Sequence, residues 1–201
     1  MLSAVKFLSM LSKQTYSRCW SLYLALLWQL TKTAAGVRSL YRCISGRLTM
    51  NIIPGRLDSP AVIQLLQGHL ADMYATSPPE SVHALDISKL QAPDIRFWGA
   101  WQGDNLLGCV ALKQHSAQMA EIKSMRTAPQ ARGKGVGRAL LQFLLEQARQ
   151  SGISNLYLET GTMDFFLPAR TLYQSAGFDY CGPFADYPED PNSMFMYKTL
   201  E

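Results

Sequence analysis

From residue 50 onward the chain alternates two patterns: short runs rich in apolar and aromatic residues, and longer stretches in which apolar residues recur every three to four positions. The first pattern predicts strands and the second helices. Residues 50–57 predict a strand. Pro60 opens a helix whose apolar positions are Ala61, Ile63, Leu65, Leu66, Leu70 and Met73. Asp58 or Ser59 is placed to cap it, and a proline in the first turn fits that start. The run Ser77 to Glu80, with Pro78 and Pro79, breaks it. Ile95–Gln102 and Leu106–Gln114 predict two strands, with Gly103, Asp104 and Asn105 as a hairpin between them. Met119–Thr127 predicts a third, reached by a short polar turn near residues 115–117. A glycine-rich turn follows, then a strong helix carrying Val136, Leu140, Phe143, Leu144 and Ala148 on one face. Ser151 and Gly152 end it. Leu156–Leu158 predicts a short strand, Pro168–Ala176 a helix closed by Gly177, and Phe178–Cys181 and Ser193–Tyr197 the last strands. The order predicts a mixed α/β domain built on one central sheet.

Composition changes this picture in one respect. The chain has 201 residues, 48% hydrophobic and 17% charged, which suits one globular domain. Its net charge of +4 is unevenly spread. Residues 1–49 carry seven basic side chains (Lys6, Lys13, Arg18, Lys32, Arg38, Arg42, Arg47) and no acid. Residues 50–201 hold the remaining twelve basic residues against fifteen acids. The domain is mildly acidic, so nucleic acid is not its expected partner. The apolar run Trp20–Leu30 is eleven residues long, and a membrane span needs about twenty. Three readings of this leader stay open: an extension upstream of a true start at Met50 or a weakly ordered tail, a basic amphipathic segment lying on an anionic membrane, or a targeting or partner-binding segment. Any membrane contact is expected through residues 1–49 alone. Cys19, Cys43, Cys109 and Cys181 form no C-x-x-C pair and lie at no ligand spacing from His69, His83 or His115. No metal site and no disulfide framework is expected, and a reducing cytoplasm is the default.

Met125–Leu141 carries the most chemistry. A strand ends at Pro129, and a turn containing Gly133 and Gly135 feeds a helix. Free N–H groups and the dipole at a helix start attract an anion, and glycines let backbone approach phosphate closely. Arg132, Lys134 and Arg138 add positive charge. The Walker pattern is absent. The dinucleotide pattern also fails, because Gly137 comes one residue early. Taken alone, the turn is equally a plain strand-to-helix connection.

Gln130-x-x-Gly133-x-Gly135 resembles the Q/R-x-x-G-x-G/A signature of the GNAT N-acetyltransferases, with Pro129 before it. Further on, Ala169-x-x-Leu172-Tyr173-x-x-x-Gly177-Phe178 resembles that family's A-x-x-L-Y-x-x-x-G-F segment. Ser77–Asp86, Glu121–Met125, Leu158–Gly161 and Pro183–Tyr187 are similar to a bacterial branch labelled indole-3-acetic-acid acetyltransferase-like. The resemblance covers about residues 50–198. It implies a central, mostly antiparallel, twisted sheet flanked by helices, acetyl-CoA as acyl donor, and a small-molecule amine or amino acid as acceptor. It implies cofactor contacts from Met125, Arg126, Thr127, Gln130, Arg132, Gly133, Lys134, Gly135, Val136, Gly137 and Arg138. The strand around Met125–Thr127 should splay from Leu156–Thr160, exposing backbone to the pantetheine arm, with an N–H near Thr127 on the thioester oxygen. Many relatives carry Asn where this chain has Phe166, which removes a polar contact to the cofactor.

Amine acetylation needs a base for the amine and a proton for the leaving thiolate. Tyr173 is the candidate acid, since a phenol of pKa roughly 10 holds its proton at neutral pH; its bland alternative is a core tyrosine. Glu121 is the candidate base, where relatives often carry a carboxylate acting through water, and Glu159 and His83 are alternatives. Asp186 and Tyr187, with Glu159 and His83, are expected to shape the acceptor pocket. Two other functions remain open: a non-catalytic acyl-CoA-binding module tethered by the leader, and a protein lysine or N-terminal acetyltransferase. Homodimers are common in the family.

Overall fold

The computed structural model describes residues 49–82 and 86–201. Residues 1–48, nearly all of the basic leader, and His83 lie outside the described residues. The described chain runs β1 (Asn51–Pro54), α1 (Pro60–Thr76), β2 (Ile95–Gln102), β3 (Asn105–Gln114), β4 (Met119–Thr127), α2 (Val136–Gln150), β5 (Asn155–Gly161), α3 (Leu167–Ser175), β6 (Asp179–Cys181) and β7 (Ser193–Thr199). The strands form one sheet in the order β1-β2-β3-β4-β5-β7-β6. Every neighbouring pair is antiparallel except β4 and β5, which run parallel. The parallel pair is joined through α2, as a crossover connection requires.

Strand side chains alternate between faces, and both faces of this sheet are covered. Val110, Leu112, Ala120, Ile122, Leu156, Leu158 and Met196 pack with Leu140, Phe143 and Leu144 of α2 and Tyr173 of α3. Cys109 and Ala111 face the other way, toward Val62 and Leu66 of α1. Covering both faces explains why β3 is buried along seven consecutive residues instead of alternating.

The departures from the sequence reading have physical causes. β1 stops at Pro54 because Gly55 and Arg56 both take positive φ, 74° and 65°. Ser59 sits at the N-cap of α1, yet neither it nor Asp58 makes a side-chain cap bond; Pro60 alone marks the start. β5 runs to Gly161 and β7 to Thr199 because they pair residue for residue from Asn155–Thr199 to Gly161–Ser193. Polar residues such as Glu159 and Thr160 hide that length from a hydrophobicity pattern.

Two irregularities of β4 shape the site. In its ladder with β3, Cys109 pairs with Arg126 and Ala111 with Lys123, so Ser124 and Met125 oppose Val110 alone. This is a β-bulge, and Ser124 takes φ 49° within it. One extra residue moves every later side chain to the opposite face. The ladder between β4 and β5 also ends at Ile122–Leu158, although the strands continue to Thr127 and Gly161. The splay therefore begins after Leu158. Leu156 and Leu158, expected to stand away from β4, are paired with it.

Candidate active site

The gap between the splayed strands opens a cleft of about 720 Å³, walled by β4, β5, the end of α1, the glycine-rich turn and α3. At the turn, Gly133 and Gly135 take φ 71° and 81°. Gly135 is the N-cap of α2 and supplies no side chain to its free N–H groups, which leaves them to bind an anion. Arg132, Gly133, Gly135, Val136, Gly137 and Arg138 all line the cleft. Gln130 and Lys134 are exposed beside the turn and do not form its wall. The described residues fit a pyrophosphate-bearing thioester: an anion cradle, two guanidiniums, and strand edges that have parted from each other beyond Ile122 and Leu158. They contain no group of three or more His, Cys, Asp or Glu able to hold a metal.

Past the bulge, Met125 and Thr127 turn toward α2 and α3. A Cβ added to Gly137 would lie 3.4 Å from Thr127 Oγ1 and 4.0 Å from Met125 Cε. The Tyr173 hydroxyl donates to Met125 Sδ at 3.5 Å. Burial, then the charge of Glu159, pushes the Tyr173 phenol well above its usual range, so it stays protonated. Arg126, expected among the cofactor ligands, is aimed elsewhere: it lines the cleft from the α1 side, ion-paired with Asp72. Phe166 packs directly on Gly161 and leaves no room there for a Cβ. The cleft wall is apolar there. Arg170, which the sequence reading passed over, is buried and donates to the carbonyls of Gly161 (2.7 Å) and Met163 (3.0 Å), fixing the free end of β5 to α3.

The two candidate carboxylates occupy different places. Glu121 is 1% exposed and does not form the cleft wall. Its Oε1 accepts from Tyr187 Oη at 2.7 Å and Lys123 Nζ at 3.0 Å, and its Oε2 meets His115 Nε2 at 2.9 Å. Lys123 Nζ also donates to Tyr187 Oη. This network ties the loop before β7 to β4, and burial and the Glu121 charge push the Tyr187 phenol far up. Glu159, by contrast, lies on the cleft wall just where β5 leaves β4. Burial raises its pKa to about 7, against the lowering effects of the Ser193 hydroxyl, which donates to it at 2.9 Å, and of Lys123. Asp186 is exposed and Tyr187 half-buried, and neither reaches the wall. His69 does, although the sequence reading weighed it only as a metal ligand. A signal was available: with Val62, Leu66 and Met73 it continues the inward stripe of α1.

Residues 62–178 match the model of the Acetyltransferase (GNAT) family. An uncharacterized N-acetyltransferase of Bacillus subtilis, YsnE, is 52% identical over 151 residues, covering 75% of this chain and 100% of its own. An IAA acetyltransferase of Azospirillum brasilense is 41% identical over 144 residues, covering 70% of this chain and 91% of its own. Among solved structures, a Klebsiella pneumoniae protein assigned to the acyl-CoA N-acyltransferases superposes with TM-score 0.65 at 28% identity, over 76% of this chain and 98% of that one. A GNAT family acetyltransferase from Elizabethkingia anophelis with acetyl-CoA bound shares the fold, with TM-score 0.56 at 20% identity over 77% of this chain and 100% of that one. With a bulged and splayed β4, a glycine cradle at the start of α2, and a family match across more than half of its length, this chain belongs to the GNAT acetyltransferase family.

Proposed function

We propose that the protein transfers the acetyl group of acetyl-CoA to the amine of a small molecule or amino acid by direct attack, with Glu159 as general base and Tyr173 as proton donor. The observation that carries this reading is Glu159 itself: a carboxylate on the cleft wall with a pKa near 7. A base of that strength is half-ionised at neutral pH and still able to take a proton. Acetyl-CoA, when bound, supplies an acyl group activated as a thioester. The N–H groups at the start of α2, with Arg132 and Arg138, hold its pyrophosphate. The β4 backbone beyond the bulge holds its arm, and the N–H near Thr127 meets charge building on the carbonyl oxygen. As the N–C bond forms and the C–S bond breaks, Glu159 accepts the proton of the amine. The Tyr173 hydroxyl, beside Met125, gives its proton to the departing sulfur and regains one from solvent. Glu121 acts at one remove: it holds Lys123 and Tyr187, and through Tyr187 the loop that borders the acceptor side.

Two substitutions separate the carboxylates. Glu159→Gln is expected to lower kcat by about 10²- to 10⁴-fold, the range of a lost general base, with acetyl-CoA affinity retained. Glu121→Gln is expected to lower stability and raise the acceptor KM while keeping the pH profile of the rate. If Glu121→Gln erased the rise in rate near pH 7 and Glu159→Gln did not, Glu121 would be the base. The cytoplasm is the proposed compartment, and the domain is proposed to work without nucleic acid. No helix among the described residues is long and apolar enough to cross a membrane.

A further inference from the structure

The cations of the cleft wall differ in how they are matched: Lys123 is held by the buried Glu121 carboxylate and Arg126 by the more exposed Asp72. Among the described residues the wall carries four permanent cations, Lys123, Arg126, Arg132 and Arg138, and one carboxylate, Glu159. Arg132 and Arg138 sit at the turn and serve the pyrophosphate. Lys123 and Arg126 are on β4, away from it. The bulge at Ser124 puts both on the α1 side of the sheet, although they are three residues apart and regular alternation would send them to opposite faces.

The corner where Arg126 meets α1 has a second unusual feature. Arg126 Nε and His69 Nδ1 are buried and make no hydrogen bond among the described residues. About nine in ten buried polar groups are bonded, and leaving one unmatched costs about 1–3 kcal/mol. Two such atoms, Arg126 Nε on β4 and His69 Nδ1 on α1, lie on one cleft wall, near enough for the Arg126 charge to act on His69, and mark a corner suited to an incoming polar group. Arg126 offers hydrogens, and His69 offers either a hydrogen or a lone pair, depending on its tautomer. Arg126 already meets Asp72, but the Asp72 side chain is 39% exposed against 12% for Arg126. A carboxylate with that much access to water is a weakly held partner, and a guanidinium has five hydrogens to share.

We propose that the acceptor is an amino acid or a close analogue, with its amine at Glu159 and its carboxylate at the corner formed by Arg126 and His69. This rests on the acetyltransferase reading for the role of the amine, while the carboxylate subsite is testable without turnover. It separates free amino acids from polyamines and other acceptors that carry only positive charge, which have no group to place at this corner.

The test is calorimetric. The full chain, saturated with CoA, is titrated with three matched sets: glycine, glycinamide and methylamine; leucine, leucinamide and isoamylamine; phenylalanine, phenylalaninamide and phenethylamine. In at least one set the acid is expected to bind about ten-fold or more tightly than both analogues, the scale of a charge-assisted hydrogen bond. Arg126→Gln is expected to abolish that difference and Arg126→Lys to keep part of it, both with acetyl-CoA affinity unchanged. Equal affinities within every set, a preference for the amide or amine, no binding by any acid, or a preference that survives Arg126→Gln would overturn the proposal. Thiol release from acetyl-CoA with the same compounds is read separately. Selective binding of the acid without release would overturn the transfer reading and leave the subsite standing. Release that ignores the carboxylate would do the reverse.

Discussion

Glu159 and His69 line the same cleft and respond to burial in opposite directions. In the folded chain Glu159 keeps its proton up to about pH 7, whereas its ordinary value is 4.5. The native state thus binds more protons than the unfolded one between those values, and stability falls as pH rises from 4.5 to 7. His69 is pushed down from 6.5 to about 4, first by burial and then by the charge of Arg126. Its contribution is present above pH 6.5 and is lost as pH falls toward 4. Glu159→Gln should therefore raise Tm at pH 8 and leave it nearly unchanged at pH 4, a difference that scanning calorimetry reads directly. A variant equally stabilised at both values would contradict the raised pKa. Tyr173 carries a different prediction. Its hydroxyl meets only a thioether acceptor at 3.5 Å, so Tyr173→Phe should cost little stability and leave acetyl-CoA binding intact while lowering kcat about 10²-fold. If turnover were unchanged, Tyr173 would be a packing residue against Phe178, with which its ring makes an edge contact. Tyr173 was legible because a motif placed it. The different places of Glu121 and Glu159 were not, because both are acids on neighbouring strands and only the fold buries one and sets the other on the cleft wall.

At the scale of elements, the turn into α2 and the bulge of β4 do most to make the site. The turn was readable in sequence, since its glycines and following helix carry a recognisable spacing. An added Cβ at Gly135 would meet nothing within 4 Å, but the residue stands at φ 81° and on the cleft wall. Gly135→Glu would thus strain the backbone and aim a negative charge at the anion cradle. Affinity for acetyl-CoA is expected to fall by about 100-fold, on the scale of a like charge brought close to phosphate in a partly dry site. An unchanged affinity would remove the pyrophosphate from this turn. The bulge was not readable. Ser124 is an ordinary strand residue by composition, and its φ of 49° follows from the pairing of β3 with β4. That single residue explains why the Arg126 side chain, expected with Met125 and Thr127 at the cofactor, turns to α1 instead. The hairpin at residues 103–104 and the start of α2 were legible because turn chemistry and helical period are local properties. The extents of β5 and β7 are set by each other, and no local pattern reports them.

For the whole molecule, the sheet divides the chemistry by face. Met125 and Thr127 look toward α2 and α3, where the thioester is proposed to lie. Lys123 and Arg126 look toward α1, where the acceptor is proposed to enter. Glu159 stands at the opening between them. The mixed α/β class and the order of elements followed from hydrophobic period, and the family from two motifs in the correct order. The division of the site between two faces became visible only in three dimensions. The most direct test is thiol release from acetyl-CoA by the full chain, measured with a panel of amines and amino acids between pH 5 and 9. Acceptor-dependent release is expected, with a rate that climbs through about pH 7 as Glu159 ionises and then levels. A folded protein that binds acetyl-CoA but releases no thiol above buffer with any acceptor would contradict it, and would make the chain a binding module on an acetyltransferase fold.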